Sequence, residues 1–421
     1  MREVYSKLLA LGKKGEWNLS SIQSLLEATG NPQKRFKPII VGGTNGKGSI
    51  TAMLASILGQ AGFKTGSYFS PHVDFFGERI QVDGAMIPDE DVERIYSSLE
   101  PFILEIGDIS FFEAVTAIAF HYFSEQMVDY AVLEVGMGGR LDATNAADAA
   151  VSIVATVDLE HTQMLGETLE KIAQEKAAIL RQGGTLVTAE EKPEALSALQ
   201  KTCAERRANL LRVGFDAKAE KLKCTDERNE WRISTRKGTY GASLRLLGEH
   251  QGRNAACAIL AAEALKEGAM GKAEIEKGLA EAFIPARLEV VSRKPLVIMD
   301  AAHNPAALRA LAKSLKLFRY GKMILVTGMM SDKDIAGNMA AIAPLAHKII
   351  LNKPAVSRAA GTELLEKEAK KYCKDVEVTQ GVSASKEKAL SIAGENDLVL
   401  LAGSIYMLGE ARGRNEVLID A

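Results

Sequence analysis

The sequence lacks several features that would place it in a special class of protein. Its 421 residues include only four cysteines, and none has the spacing of a metal site or a redox pair. No apolar run approaches the roughly 18 residues that a membrane-spanning helix needs. The first 14 residues carry charges at both ends and have no apolar signal-peptide core. These absences predict reduced thiols and a soluble, cytoplasmic protein.

The chain also lacks an excess of charge of either sign. Lys and Arg number 52 and Asp and Glu 54, so the formal net charge is −2. This balance excludes the overall electrostatic attraction of a general nucleic-acid binder. The sequence has no internal repeat, but it is 47% hydrophobic and long enough for two domains. We therefore expect a globular protein, monomeric, with small-molecule partners and no membrane association.

Apolar runs alternate with helical patterns in the first part of the chain. Three runs are nearly continuous in apolar character, as strands buried on both faces of a parallel sheet are: 38–41, 130–135 and 151–155. Helical spacing follows or separates them at 50–58, 110–124 and 169–180. From residue 221 the pattern changes to short half-exposed strands at 221–225, 231–234 and 243–246, followed by a helix at 254–266. The pattern predicts a mostly parallel sheet with a small antiparallel insertion.

A second alternating series begins near residue 296. Its predicted strands are 296–300, 323–327, 348–351, 376–379 and 398–401, with helices at 306–317 and 361–371. The fold class that we predict is α/β. An N-terminal domain like that of P-loop NTPases spans residues 1–286, and a smaller Rossmann-like domain spans residues 287–421.

A glycine-rich segment follows the first predicted strand. Residues 43–49 read Gly-Thr-Asn-Gly-Lys-Gly-Ser and come directly before a predicted helix. There, backbone N–H groups and the helix dipole can bind an anion, and Lys47 can reach the outer phosphates of a nucleotide. A turn that is rich in glycine for packing alone is disfavoured, because strand, loop, lysine, hydroxyl and helix come in the order that phosphate binding needs. The predicted ATP-binding residues are Thr44, Asn45, Gly46, Lys47, Gly48 and Ser49.

The loop departs from the usual nucleotide-binding pattern at two positions. Val41 replaces its first glycine, and Gly48 replaces the Ser or Thr that directly follows the lysine. A magnesium ion would then take its hydroxyl ligand from elsewhere, which argues against a simple motor or switch NTPase. Glu134 ends a predicted parallel strand. A carboxylate there is as compatible with a magnesium ligand as with an ordinary strand-end residue.

Further motifs follow the loop in order along the chain. They are SPH at 70–72, ERI at 78–80, FE at 112–113, LEVG at 133–136, GRLDATN at 139–145, LG at 165–166, EKA at 175–177, HQ at 250–251, NA at 254–255, DAAHNP at 300–305, DKD at 332–334 and GSIY at 403–406. With the loop, these motifs resemble the folylpolyglutamate synthase and dihydrofolate synthase family of the Mur ligase superfamily. Met137, Glu160, Ala286 and Ala301 depart from the family pattern, the last two by replacing glycine.

The resemblance implies formation of an amide bond driven by cleavage of ATP to ADP. A carboxylate of the acceptor attacks the γ-phosphate, and the amine of L-glutamate then displaces phosphate from the acyl phosphate. We expect a bifunctional enzyme that accepts both dihydropteroate and the γ-carboxylate of reduced folates. The alternatives are a folylpolyglutamate synthase only, or another amino-acid ligase of the superfamily. A further hypothesis concerns a different class of protein, an NTPase that uses hydrolysis to switch a binding surface.

The resemblance also implies roles for single residues. Asn254, Arg287, Asp300 and His303 complete the ATP site. Ser70 and Glu134 hold one Mg²⁺. His161 and Lys176 hold a second, with Lys176 carbamylated to supply oxygen ligands. Lys47, Glu134, His161 and Lys176 form the catalytic set. By position alone, Lys176 would be an exposed helix charge, and a lone histidine such as His161 is more often structural.

The acceptor and glutamate sites have weaker signals. Residues that match the pterin site of the family are Phe111, Phe112, Glu113 and Asp142, although a Phe pair at the start of an Ala-rich helix is more often part of the core. Lys333, together with Arg358 and Ser404, would meet the carboxylates of glutamate. Exposed Lys and Arg side chains are otherwise solvated charges.

Overall fold

The computed structural model describes residues 2–12, 18–265 and 270–413, and its first sheet has eight strands. They are β1 (Lys37–Gly42), β2 (Thr65–Tyr68), β3 (Ile80–Val82), β4 (Ala85–Met86), β5 (Tyr130–Glu134), β6 (Val151–Val154), β7 (Thr185–Thr188) and β8 (Asn209–Arg212). Their spatial order is β4-β3-β2-β5-β1-β6-β7-β8. Six strands are parallel, and the hairpin of β3 and β4 adds antiparallel strands at one edge.

Two further sheets follow along the chain. The second is antiparallel and contains β9 (Ala217–Cys224), β10 (Asn229–Thr235) and β11 (Thr239–Leu244). The third contains β12 (Glu289–Arg293), β13 (Leu296–Asp300), β14 (Met323–Thr327), β15 (Lys348–Leu351), β16 (Val376–Val378) and β17 (Leu398–Ala402). Its order is β12-β13-β17-β14-β15-β16, and only β12 is antiparallel to its neighbour.

Helices cover the sheets and join their strands. They are α1 (Arg2–Ala10), α2 (Ser20–Ala28), α3 (Lys47–Gln60), α4 (Asp89–Ile106), α5 (Phe111–Glu125), α6 (Thr162–Leu165), α7 (Leu169–Ala177), α8 (Pro193–Glu205), α9 (His250–Ala264), α10 (Lys272–Glu281), α11 (Pro305–Ser314), α12 (Ile335–Ile342), α13 (Thr362–Ala369), α14 (Val382–Ile392) and α15 (Ile405–Ala411). Among the described residues, no helix has the length and apolar character needed to cross a membrane.

The central strands are buried on both faces, which explains their continuous apolar sequence. In β1, Ile40 belongs to the apolar cluster on one face of the first sheet, whereas Ile39 and Val41 belong to the cluster on the other face. Side chains alternate between faces along a strand, so every position of such a strand must be apolar. The third sheet likewise separates two clusters.

The predicted α/β fold class, with its antiparallel insertion and second α/β unit, is confirmed. The strand predicted at 296–300 has the observed bounds, and α9 begins at His250, four residues before the predicted start. The predicted end of that helix, Lys266, lies outside the described residues. The predicted domain boundary falls between α10 and β12, and the division into two domains stays a prediction.

The contact between α3 and α10 is close because α10 has a glycine there. A Cβ on Gly278 would lie 2.5 Å from Cα and 2.7 Å from the backbone N of Ile57. Backbone atoms cannot move aside as a flexible side chain can. Gly59, on the same helix as Ile57, has no atom within 4 Å of its Cβ position.

We predict that Gly278→Ala lowers the free energy of unfolding by about 1–3 kcal/mol, because the methyl group overpacks the helix contact. The matched control, Gly59→Ala, is expected to be neutral or to stabilise by up to about 1 kcal/mol through helix propensity. Urea unfolding followed by circular dichroism measures both. Equal midpoints for the two variants would show that the α3–α10 contact is not tight.

Candidate active site

The glycine-rich loop connects β1 to α3, as its position in the sequence predicts. Gly46 has φ +92°, in the left-handed region that favours glycine, and α3 begins at the next residue, Lys47. The Lys47 ammonium donates hydrogen bonds to the carbonyls of Gly43 at 3.1 Å and Thr44 at 3.3 Å. The loop therefore holds its cation beside the first turn of α3, where an anion can bind.

The first turns of α9 support this loop from one side. The Asn254 Oδ1 atom lies 2.7 Å from the Cβ position of Gly46, so a side chain at Gly46 would collide with it. Asn254 Nδ2 donates to Gln251 Oε1 at 2.9 Å, and Gln251 Nε2 donates to Ser49 Oγ at 3.3 Å. This chain of hydrogen bonds fixes the loop against α9.

Glu134, at the end of β5, is a buried carboxylate beside the loop. Its Oε2 atom accepts a hydrogen bond from the backbone N–H of Ser70 at 3.2 Å. Burial raises the pKa of Glu134 above its ordinary value, although Lys47 and Arg287 oppose that shift. The structure thus brings Ser70 and Glu134 together next to the loop lysine.

Gly48 provides the space that this carboxylate occupies. A Cβ at Gly48 would lie 3.4 Å from Glu134 Oε2, 3.7 Å from Arg287 Nη2 and 3.0 Å from Ile284 Cδ1. A Cβ there would touch both charged groups at ordinary contact distances, so the additional atoms of a serine or threonine would have to fit among Glu134, Arg287 and Ile284. The unusual glycine is therefore coupled to the position of Glu134.

Lys176 is buried, so its interpretation as a solvated helix charge is wrong. Its side chain is 1% exposed, and its Nζ atom lies 2.7 Å from Glu160 Oε1. Burial lowers the pKa of Lys176 despite the nearby carboxylate of Glu160. Burial would raise the pKa of Glu160, but Lys176 and Lys47 lower it to about 2.

A glycine lets the helix of Lys176 approach this closely. The Cβ position of Gly139 is 2.8 Å from the carbonyl O of Glu175 and 2.9 Å from that of Lys176. His161 lies beside the pair, at φ +46°, and its pKa is lowered by burial and by Lys333. The structure therefore brings His161, Lys176 and Glu160 into one polar cluster.

The third sheet contributes residues from its edge and from the end of β13. Asp300 accepts hydrogen bonds from the backbone N–H groups of Leu288 at 2.7 Å and Ala302 at 2.8 Å. Burial raises the pKa of Asp300, and Arg287 opposes that shift. Burial, with Lys333, lowers the pKa of His303 to about 4, so this imidazole is neutral at pH 7.

An amide pair that the sequence did not reveal joins the loop to the third sheet. Asn304 Nδ2 donates to Asn45 Oδ1 at 3.0 Å, and Asn45 Nδ2 donates back at 3.4 Å. Asn304 also caps α11 by accepting from the backbone N–H of Ala307 at 2.9 Å. The only available signal was the Asn-Pro helix start, which predicts a cap but not a partner 259 residues away.

The four residues of the predicted acceptor site have different environments. Phe111 is buried in the core with the Arg79 guanidinium over its ring at 5.4 Å, and Glu113 accepts from Ser110 as part of a capping box. Asp142 accepts from the backbone N–H groups of Met137 and Thr144. Phe112 is half-buried and packs against Tyr68, with 5.9 Å between the two ring centroids.

The basic side chains of Lys333 and Arg358 line the site on the side of the third sheet. Lys333 is 18% exposed and lies 3.4 Å from Asp332. The Arg358 guanidinium lies over the Tyr406 ring at 5.7 Å and donates to its hydroxyl at 3.1 Å. Ser404 caps α15 by accepting from the backbone N–H of Met407. Tyr406 is not among the predicted site residues, although it belongs to the GSIY motif at 403–406.

One cavity of about 1020 Å³ joins the predicted site residues. Its walls include every predicted site residue, from the phosphate loop to Phe112 and Lys333. Within the described residues, no set of three or more His, Cys, Asp or Glu could hold a metal ion. Ser70 and Glu134 offer the oxygen atoms that Mg²⁺ prefers, so they fit such an ion if nucleotide or water oxygens complete its shell.

Comparison with known families places the chain in a class of ligases. The Mur ligase middle domain matches residues 41–262, and the glutamate ligase domain of Mur ligases matches residues 286–405. The chain therefore belongs to the Mur ligase family. A dihydrofolate synthase/folylpolyglutamate synthase of Bacillus subtilis is 32% identical over 415 residues, with 94% of each chain covered. The chain belongs to this family, and the resemblance described above is confirmed.

Another relative is a longer protein. A probable bifunctional folylpolyglutamate synthase/dihydropteroate synthase of Haloferax volcanii is 36% identical over 406 residues, covering 93% of this chain and 48% of the relative. The chain thus spans about half the length of this relative, as it does for a second one from Halobacterium salinarum, where it covers 49%.

Solved structures of the family have the same fold. A Mycobacterium tuberculosis folylpolyglutamate synthase complexed with ADP has a TM-score of 0.92 at 28% identity, covering 98% of this chain and 97% of that one. An Escherichia coli FolC protein in complex with DHPP and ADP has a TM-score of 0.88 at 31% identity, with 98% and 96% covered. A bifunctional synthase with Mn, AMPPNP and L-glutamate bound has a TM-score of 0.85 at 29% identity, with 95% and 94% covered.

We predict that Gly48→Ser weakens catalysis at least on the order of tenfold, because the side chain displaces the carboxylate of Glu134 and the guanidinium of Arg287. Stability should change by less than about 1 kcal/mol, since the nearest contact is the flexible end of Ile284. Steady-state rates and urea midpoints test this, with Gly59→Ala on the same helix as the control. A fully active Gly48→Ser variant would contradict the coupling between Gly48 and Glu134.

Proposed function

We propose that the chain uses ATP to attach L-glutamate to dihydropteroate and to the γ-carboxylate of reduced folates, with ADP and phosphate as products. The observation that carries the proposal is the cavity of about 1020 Å³. It is lined by the phosphate loop, by Phe112 of the predicted acceptor site and by Lys333 of the predicted glutamate site. An acyl phosphate formed at one end can meet the amine of glutamate at the other without leaving the site. Such placement is the main contribution that a protein makes to phosphoryl transfer.

The nucleotide would lie between the two large sheets. Lys47 and the N-terminus of α3 neutralise its outer phosphates, and Arg287 approaches from the domain junction. Asn254 and Asp300 position the rest of the molecule. The relative that was solved with ADP and DHPP supports this arrangement, because it has the same fold over 98% of this chain.

Mg²⁺ ions would supply charge neutralisation at the γ-phosphate and the attacking carboxylate. Ser70 and Glu134 would hold the first ion, because the Ser70 backbone N–H donates to Glu134 Oε2 and so brings a hydroxyl-bearing residue and a carboxylate together beside the loop. His161 and Lys176 fit the second only after Lys176 has become a carbamate, since an ammonium repels a cation. The lowered pKa of Lys176 favours the neutral amine that reacts with CO₂.

The acceptor and glutamate regions are supported by the chemistry of the cavity walls. Phe112 offers a half-buried aromatic face on which a pterin ring can stack. Lys333 and Arg358 offer cations for the two carboxylates of glutamate, and Ser404 lies beside them. We propose that the enzyme acts as a monomer in the cytoplasm. The four free cysteines support the second part of this proposal, because the cytoplasm is reducing.

A paired assay tests the proposed reaction. Labelled glutamate is offered with either dihydropteroate or tetrahydrofolate, and both products and phosphate are measured. We expect incorporation with each acceptor and phosphate release only when acceptor and glutamate are both present. Incorporation with tetrahydrofolate alone would restrict the enzyme to polyglutamylation. Vigorous phosphate release without incorporation would support an NTPase switch and contradict the proposal.

A second prediction concerns Lys176. Lys176→Ala should reduce turnover by several orders of magnitude, because the site loses the carbamate oxygens that would hold the second ion. A short carboxylate such as acetate should restore part of the rate by occupying the vacated space. Lys171→Ala, on the exposed side of the same helix, is the control and should stay active. Full activity of Lys176→Ala would exclude the carbamate.

A further inference from the structure

One loop of the first sheet extends to the third sheet. This Ser70 loop (residues 70–79) joins β2 to β3 and begins at Ser70, whose backbone N–H donates to Glu134 Oε2 at 3.2 Å. Its middle is fixed internally, because the Glu78 carboxylate accepts from the three backbone N–H groups of residues 73–75 at 2.8 to 2.9 Å. The loop is therefore internally rigid, so that a displacement of one part displaces the rest.

An arginine just after α15 holds the far side of this loop. Arg412 Nη1 lies 2.9 Å from Asp74 Oδ2, and Arg412 Nη2 binds Glu289 of β12. These three side chains are only 11% to 21% exposed. A charge network that is shielded in this way is stronger than a surface ion pair, because water screens it less.

An apolar contact strengthens the same connection. Val73, adjacent to Asp74, is 3% exposed and belongs to the buried cluster of the third sheet together with Ala286, Met299 and Leu408. The tip of the Ser70 loop is thus part of the core of the other α/β unit. Its base, Ser70, is three residues from Val73 and lies at the proposed metal site.

We propose that Arg412 is a positioning residue that couples the third-sheet unit to Ser70, and through it to the metal and acceptor end of the cavity. The inference rests on the proposed function. The third-sheet unit consists of β12 to β17 and the helices that join them. When this unit is in the position that the structure shows, Arg412 and Val73 hold the Ser70 loop so that Ser70 stays beside Glu134. The alternative is that the Arg412 network only joins the two units mechanically.

The two explanations predict different kinetics for Arg412→Ala. Loss of positioning raises the Mg²⁺ concentration for half-maximal rate, and the KM for the acceptor, on the order of tenfold, while kcat at saturating Mg²⁺ changes little. Arg412→Lys should be intermediate, because one ammonium cannot replace a guanidinium that binds two carboxylates. Asp74→Asn should act in the same direction, and the double variant should cost less than the product of the single effects.

The matched control is Arg94→Ala. Arg94 also bridges two carboxylates, those of Asp91 at 2.8 Å and Glu125 at 2.6 Å, but these lie on α4 and α5 and not in the Ser70 loop. It should leave the Mg²⁺ dependence unchanged. A lower melting temperature for Arg412→Ala with unchanged Mg²⁺ and acceptor dependence would overturn the inference, as would equal effects of the two variants.

A readout without turnover separates this inference from the proposed function. Hydrogen exchange by mass spectrometry should show faster exchange of the Ser70 loop in Arg412→Ala than in wild type or Arg94→Ala. Binding of Mn²⁺, measured by electron paramagnetic resonance with a non-hydrolysable ATP analogue, should weaken in the same variant. A wild-type protein that incorporates no glutamate would contradict the proposed function alone, whereas unchanged exchange and Mn²⁺ binding in Arg412→Ala would contradict this inference alone.

Discussion

The arrangement of the site depends on the need to compensate buried charge. Glu134 is 4% exposed and the Lys176 side chain 1%, and neither could keep its charge there without a partner. Glu134 has the cations of Lys47 and Arg287 nearby, and Lys176 has Glu160. Each compensation brings together segments that are distant in sequence. The glycine-rich loop, the strand ends and the segment around Arg287 must therefore assemble before any of these groups is stable in place.

The parallel sheets explain why these segments meet where they do. β1 lies between β5 and β6, so the loop after β1 and the carboxylate at the end of β5 emerge at the same edge. Ligands bind at such an edge in open α/β sheets, because the connections leave it in opposite directions and create a crevice. The third sheet adds Asp300 at the end of its own parallel strand β13. The cavity is thus bounded by strand ends of both large sheets.

Sequence alone predicted the features that depend on local pattern. Strand β13 was predicted with its observed bounds, because its apolar pattern lies within five consecutive residues and can be recognised without knowing which residues pack against it. The burial of Lys176 could not be predicted, since it depends on the approach of α7 to Gly139. The amide pair between Asn45 and Asn304 depends in the same way on how two sheets pack. Motif resemblance supplied the candidate site residues, but not the contacts among them.

The segment of residues 286–289, which leads into β12, links the position of Arg287 to that of the Ser70 loop. Ala286 and Leu288 flank Arg287 with φ of +56° and +49°, a conformation that costs a residue other than glycine about 1–3 kcal/mol. It persists because Asp300 accepts from the backbone N–H of Leu288, and Glu289 from that of Ala286 at 2.7 Å. The same Oε2 atom of Glu289 also binds Arg412. One carboxylate oxygen therefore stabilises both the backbone that aims Arg287 at the phosphate loop and the arginine that holds the Ser70 loop. A movement of the third-sheet unit would change both contacts together, which is the physical basis for the proposed coupling between the nucleotide and the Ser70 loop.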